Sequence, residues 1–282
     1  MAELEVHNRP GGHGWLKVRA QVGEEDEEMI LYGLASRQPG KLYGGGRLLF
    51  AGLLSHVEFY RKDQVRYGTL TFQTADCLMD VEKNSRSFHD TSMTYRGLLD
   101  QILQSYPGSA YLLSVPDEPV GQLLVQYQET DWQFLKRVFS QQYAPLGACM
   151  GQEGIHIYAG VPDLGGDWEY QLEEVSKCEE EVRRFEARGA AESDFVDYRV
   201  RSGSCQDLFS ALDVGGSRLS VAALDWTLER GRLECRYTLR GRAGIGSYPV
   251  YPVSLVGFAL EGRILEVKGN QVRVHMDMDP YL

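Results

Sequence analysis

Apolar and polar side chains alternate along much of the chain, at the period of a strand with one face buried. Residues 15–22 alternate in this way around Leu16, Val18, Ala20 and Val22, and residues 67–73 do so again. Between them, residues 47–60 form a longer apolar-rich run with Gly52 inside it, where a glycine predicts a bulge or sharp bend. Gly-rich turns such as Gly44-Gly-Gly46 separate these runs. Residues 1 to about 85 therefore read as strands of a sandwich or barrel, with the acidic run 24–28 as a solvated loop or strand face.

The period changes at about residue 86. Tyr95, Leu98, Leu99, Ile102, Leu103 and Tyr106 share one helical face, with Thr94 placed to cap the helix and Pro107-Gly108 to end it. A second helix begins at Thr130, where Gln133 three residues on completes a capping box; its apolar positions are Trp132, Leu135, Val138 and Phe139. Trp132 and Phe134 read as core residues rather than a ligand-stacking pair, one under the helix and one on its flank. Strand-like pieces at 110–115, 123–128, 146–150 and 155–159 complete a compact α+β unit between β-rich parts.

After Pro162 strand character resumes at 196–201 and 218–222, while 178–188 fits either helix or strand. Residues 225–239 read as a hairpin turning at Arg230-Gly231, and 241–252 as a Gly- and Pro-rich loop. Residues 260–276 repeat the pattern, two strands joined at Lys268-Gly-Asn270. Two strands cannot bury a face alone, so they either pair elsewhere in the chain or open a larger domain.

Composition narrows the function classes. With 43% hydrophobic and 24% charged residues, 282 residues suffice for about two globular domains. The net charge of −11, from 40 acidic and 29 basic residues, argues against wrapping nucleic acid or binding a membrane surface. Cys77, Cys149, Cys178, Cys205 and Cys235 are odd in number and widely spaced, as expected of a reduced protein made in the cytoplasm without disulfide framework or zinc knuckle. Neither a signal peptide nor a membrane-spanning apolar run is visible, so no membrane anchor is expected.

Three segments occur in an order that carries a family resemblance. They are Ser85-Arg-Ser-Phe-His-Asp-Thr-Ser-Met-Thr-Tyr95, then Tyr106-Pro-Gly108, then Val125-Gln-Tyr-Gln-Glu-Thr-Asp-Trp-Gln-Phe-Leu-Lys-Arg137. The succession resembles the phage late control protein D family, which includes the tail hubs of contractile phages and the N-terminal part of the VgrG spike of type VI secretion. Leu255-Val-Gly-Phe-Ala-Leu-Glu-Gly-Arg-Ile264 is similar to the opening of the OB-fold that follows the hub in those spikes.

The resemblance implies a fold that is mainly β with an α+β insertion. It divides the chain into a first hub β-barrel at 1–85 lacking its opening strand, the inserted α+β domain at 86–162, a second hub β-barrel at 163–252, and the truncated start of an OB-fold at 253–282. It implies a structural homotrimer, assembled into a phage tail or contractile secretion apparatus, that adapts a hexameric tail tube to a threefold spike. Its partners would be the tube, the spike and baseplate wedge proteins, with DNA or an acidic effector only as passing cargo through an acidic channel. Isolated monomers of such an assembly expose apolar patches. The competing reading is a monomeric β-barrel module that binds carbohydrate or a partner, which suits an aromatic content of 11%.

Catalytic, cofactor and metal residues are all expected to be absent. His7, His13, His56, His89, His156 and His275 form no His-Glu-x-x-His pair, and His89-Asp90 stands where a turn or helix cap is needed. Residues 241–246 and Gly11-Gly-His-Gly14 lack the strand-to-helix setting of a phosphate loop and read as turns. There is no Gly-x-Ser-x-Gly elbow, and carboxylate pairs such as Asp76/Asp80 or Glu173/Glu174 are common in any acidic chain. The chain is not expected to be an enzyme; cell-wall lysis would be the observation against that reading.

Overall fold

The computed structural model describes residues 3–177, 181, 191–257 and 259–279. The ambiguous stretch 178–188 lies outside these apart from Glu181. The first third of the chain contains β1 (Glu3–Asn8), β2 (Trp15–Gln21), α1 (Glu24–Ala35), β3 (Pro39–Gly44), β4 (Arg47–Lys62) and β5 (Val65–Gln73). A 3₁₀ segment, Ala75–Asp80, leads into β6 (Lys83–Phe88), α2 (Tyr95–Leu103), β7 (Ala110–Leu113), β8 (Leu124–Thr130), α3 (Asp131–Ser140), β9 (Leu146–Ala148) and β10 (His156–Ala159). Then come β11 (Gln171–Lys177), β12 (Val196–Ser202), β13 (Ala211–Val214), β14 (Ser217–Glu229), β15 (Arg232–Gly241), β16 (Gly262–Lys268) and β17 (Gln271–Met276).

The strands before β6 and those from β11 to β15 form one ten-stranded sheet in the order β11-β12-β15-β14-β1-β2-β5-β4-β3, with β13 also on β14. The joint between the two parts is the antiparallel pair β1–β14, where Val6 faces Trp226. Val6, Phe50, Phe209, Trp226 and Tyr237 are buried in one core beneath this sheet. Among the described residues the pairings do not close into a barrel: β3 and β11 each have a single strand neighbour. The hairpin β14–β15 turns at Arg230 and Gly231, both with positive φ, which matches the right-handed twist of its strands.

Two expectations for the first third need correction. Residues 24–28 are the first turns of α1, not loop or strand. Carboxylates there favour the positive end of the helix dipole, and Asp26 Oδ2 accepts the Gly23 N–H at 2.9 Å. Gly52 is not the bulge; the register shift of β4 against β5 falls between Leu54 and His56. A Cβ on Gly52 would lie 2.4 Å from the Gln73 carbonyl oxygen, so close backbone approach is what requires glycine.

The α+β unit holds a second core of Met79, Phe88, Leu98, Leu99, Ile102, Trp132, Phe134, Leu135 and Phe139. Trp132 and Phe134 are both fully buried, so neither sits on a flank. Thr94 Oγ1 accepts the Gly97 N–H at 3.2 Å to start α2, and Thr130 with Gln133 caps α3 reciprocally. β6 spans the 85/86 position and pairs with β8, while β7, β10 and β9 make a second small sheet. β16 and β17 pair only with each other among the described residues.

Candidate functional site

The three segments that carry the resemblance meet in one polar knot. Asp131 is 2% exposed, and its Oδ1 accepts from Arg86 at 2.5 Å, from Gln126 Nε2 at 2.8 Å and from Asn84 Nδ2 at 3.1 Å. Its Oδ2 accepts the Tyr106 hydroxyl at 2.9 Å. Burial and the Asp131 charge push the Tyr106 phenol well above its usual range, so it stays a donor. Close by, Arg137 grips Glu129 with two hydrogen bonds of 2.8 and 2.7 Å and donates to the Val125 carbonyl at 2.6 Å. Burying a carboxylate is costly unless hydrogen bonds replace its lost water, and these donors do so. The motif thus fixes how β6, β8, α2 and α3 meet; its polar atoms are consumed in structure.

A second polar group pins the α+β unit to the sheet. His13, in the β1–β2 turn, points Nδ1 at Asp76, which is 1% exposed, and Nε2 at Asp80 Oδ2, 3.5 Å away. Its ring packs on Trp132 with centroids 4.8 Å apart. Burial lowers the His13 pKa, but the hydrogen bonds and charges of Asp76 and Asp80 outweigh it, leaving the pKa above the ordinary value. Thr130 in turn donates to Asp80. Asn8 Nδ2 reaches the Ala148 carbonyl at 2.8 Å, Lys136 reaches the Gly11 carbonyl at 2.6 Å, and Asp207 accepts the Met150 N–H at 2.9 Å. The Asp76/Asp80 pair is therefore part of a seam. Sequence reasoning missed this role because 63 residues separate His13 from Asp76.

A cavity of about 970 Å³ opens between Arg86–His89 and the β16–β17 hairpin and is lined by Arg273, His275 and Asp279 among others. Ser87 Oγ lies 2.6 Å from His89 Nε2, and Asp279 Oδ2 lies 3.3 Å from the same nitrogen. A nucleophile relay needs its serine and acid on opposite ring nitrogens. Here Ser87 Oγ already donates to Asp279, which ties the chain end to β6. Asp90 accepts from the Ser92 N–H at 2.9 Å and its hydroxyl at 2.5 Å, a turn role as its position predicts.

The other singled-out residues are dispersed. His7 bonds Asp225 at 2.6 Å, His56 bonds Glu58 at 3.1 Å, and His156 and His275 lie on β10 and β17. Glu173 and Glu174 on β11 face Arg201 at 3.6 Å and Arg199 at 2.7 Å. Burial pushes the Cys77 thiol up to about 11 and the Cys149 thiol up to about 12, so neither is a thiolate at neutral pH. Among the described residues, no group of three or more His, Cys, Asp or Glu side chains is placed to hold a metal ion. No helix among them is long and apolar enough to cross a membrane.

What the surface does present is apolar side chains on the outermost described strands. β11 exposes Leu172 and Val175, β3 exposes Tyr43, and α1 exposes Met29 and Tyr32, the latter at 76%. Among the described residues neither outer strand has a second strand neighbour, and a sheet edge of this kind is the usual template for strand addition.

Residues 33–142 match the family model described as phage tail baseplate hub (GPD), which agrees with the resemblance read from the motifs. No curated protein matches the chain. Its fold is similar to the E. coli c3393 protein, a component of the type VI secretion system with structural similarity to T4 bacteriophage tail proteins gp27 and gp5. That likeness has a TM-score of 0.66 at 12% identity and covers 98% of this chain and 85% of the other. It is also similar to the 43 kDa tail protein of prophage MuSo2 from Shewanella oneidensis, with a TM-score of 0.61, 8% identity, and 89% and 95% coverage. A chain of the Francisella PdpA-VgrG complex matches at a TM-score of 0.51 and 12% identity, over 95% of this chain and 57% of that one.

Proposed function

We propose, taking the baseplate-hub match over residues 33–142 as premise, that the chain is the structural hub of a contractile injection apparatus, a phage tail baseplate or a type VI-like spike. Three copies form a ring that adapts a hexameric tail tube to a threefold spike. The observation that carries this reading is the sheet whose outer strands β3 and β11 have, among the described residues, one strand neighbour each and bear exposed apolar side chains. A monomeric binding module would cover such edges; a ring subunit keeps them for its neighbours.

In this reading residues 1–85 and 163–252 are the two tube-type halves, set side by side by the β1–β14 pair. Three copies place six similar halves around one axis, and edge pairing between copies completes the barrels. The unit 86–162 braces each subunit from within, and 253–282 opens an OB-fold toward the spike. The net charge of −11 suits a channel that DNA or an acidic effector traverses without sticking; a basic lumen in an assembled ring would refute that part. The protein acts after synthesis in the bacterial cytoplasm, as a non-enzymatic part of the tail or secretion apparatus. Native mass spectrometry over a concentration series tests the reading: a species of three chains is expected, and a monomer persisting at the highest concentrations would overturn it.

A further inference from the structure

We propose that Cys205 and Cys235 form a redox site, which an external disulfide oxidant converts into an intramolecular disulfide fastening the loop after β12 to β15. The two Sγ atoms lie 3.4 Å apart, about van der Waals contact, with 30 residues between their positions. Cys235 is fully buried on β15 opposite Ser202, the last residue of β12, while Cys205 is partly open. The loop is already held for closure. Tyr237, two residues along the same face of β15, accepts the Gln206 N–H at 2.7 Å and donates to the Ser204 carbonyl at 2.7 Å. Arg47 at the start of β4 donates to the Cys205 carbonyl itself. Both neighbours of Cys205 are thus pinned, with the two sulfurs already in contact.

The two thiols have different parts to play. The Cys235 thiol hydrogen-bonds to Cys205 and, with Arg47 nearby, draws the Cys205 pKa below its usual value, while Cys235 itself is pushed up. With oxidised glutathione as the oxidant, the Cys205 thiolate attacks one glutathione sulfur, its S–S bond breaks, and a glutathione thiolate leaves. The Cys235 sulfur then displaces the second glutathione from Cys205 and gives its proton to the leaving thiolate. Two protein thiols are oxidised and one oxidised glutathione becomes two reduced ones. The pair would stay reduced in the cytoplasm and close once the protein meets an oxidising exterior.

The test treats the full chain with oxidised glutathione, quenches under denaturing alkylation, and reads intact mass, linked peptides and thermal unfolding. Expected are a mass lower by two hydrogens, a Cys205–Cys235 linked peptide, and a Tm raised by about 5–10 °C that dithiothreitol reverses. Cys205→Ser and Cys235→Ala should each abolish the link and the shift; should Cys235→Ala fail to fold, the partly exposed Cys205→Ser is the control. Full alkylation of both thiols after oxidation, a stable Cys205–glutathione adduct, or linkage of Cys205 to another cysteine would overturn the proposal.

Discussion

In the α+β unit the apolar faces of α2 and α3 are covered within the chain, and the buried charges of Asp131 and Arg137 find their partners there. In the ten-stranded sheet the middle is just as well packed, under Trp226 and Tyr237, but among the described residues the rims at β3 and β11 have no further strand beside them. One region spends its polar and apolar groups on itself and the other reserves some for outside contacts. The difference separates residues that make the subunit from residues that would make an assembly. It also explains why a long sequence motif need not signal a reaction: its side chains are already committed to one another.

Substitutions can break this comparison. Asp131→Ala should have the largest effect, destabilising the chain by about 3–5 kcal/mol in urea unfolding, because it strands Arg86 and three neutral donors around a buried site. Leu99→Ala, at a fully buried position in the same core, should cost about 2–5 kcal/mol. A smaller change follows from His13. Its folded pKa lies above the ordinary 6.5, so its contribution is complete below that pH and is lost as pH rises through the raised folded value. Stability measured across that window should fall, and His13→Gln should flatten the fall; an unchanged slope would show that the seam does not depend on the imidazolium. The smallest effect belongs to the rim. Leu172→Ser with Val175→Ser should leave subunit stability within about 0.5 kcal/mol while lowering the population of multimers in native mass spectra.

Much of the fold was legible where local chemistry is strong. The caps at Thr94 and Thr130, the helical faces they start, and the hairpin turn at Arg230-Gly231 all stand where periodicity and turn residues place them. The helix α1 was not legible, because its apolar residues Met29, Leu31 and Tyr32 face outward and give no core-facing stripe; an acidic run with exposed neighbours reads as loop. β11 was missed for a related reason, since six of its seven residues are exposed and no buried face imposes alternation. Arg86, Tyr106 and Gln126 stand in the quoted segments but could not be connected to Asp131 from sequence, Asn84 lies just outside them, and His13 with Asp76 and Asp80 meets only through tertiary packing. Long-range polar contacts leave no local period to read.

The central claim is that the rims of the sheet are closed by further copies of the chain. Amide hydrogen exchange, followed strand by strand in the monomer and in the assembled particle, tests it most directly. The account predicts that outward-facing amides of β3 and β11 slow markedly on assembly while those within β6 and β8 hardly change. Equal and rapid exchange of β3 and β11 in both states would contradict it.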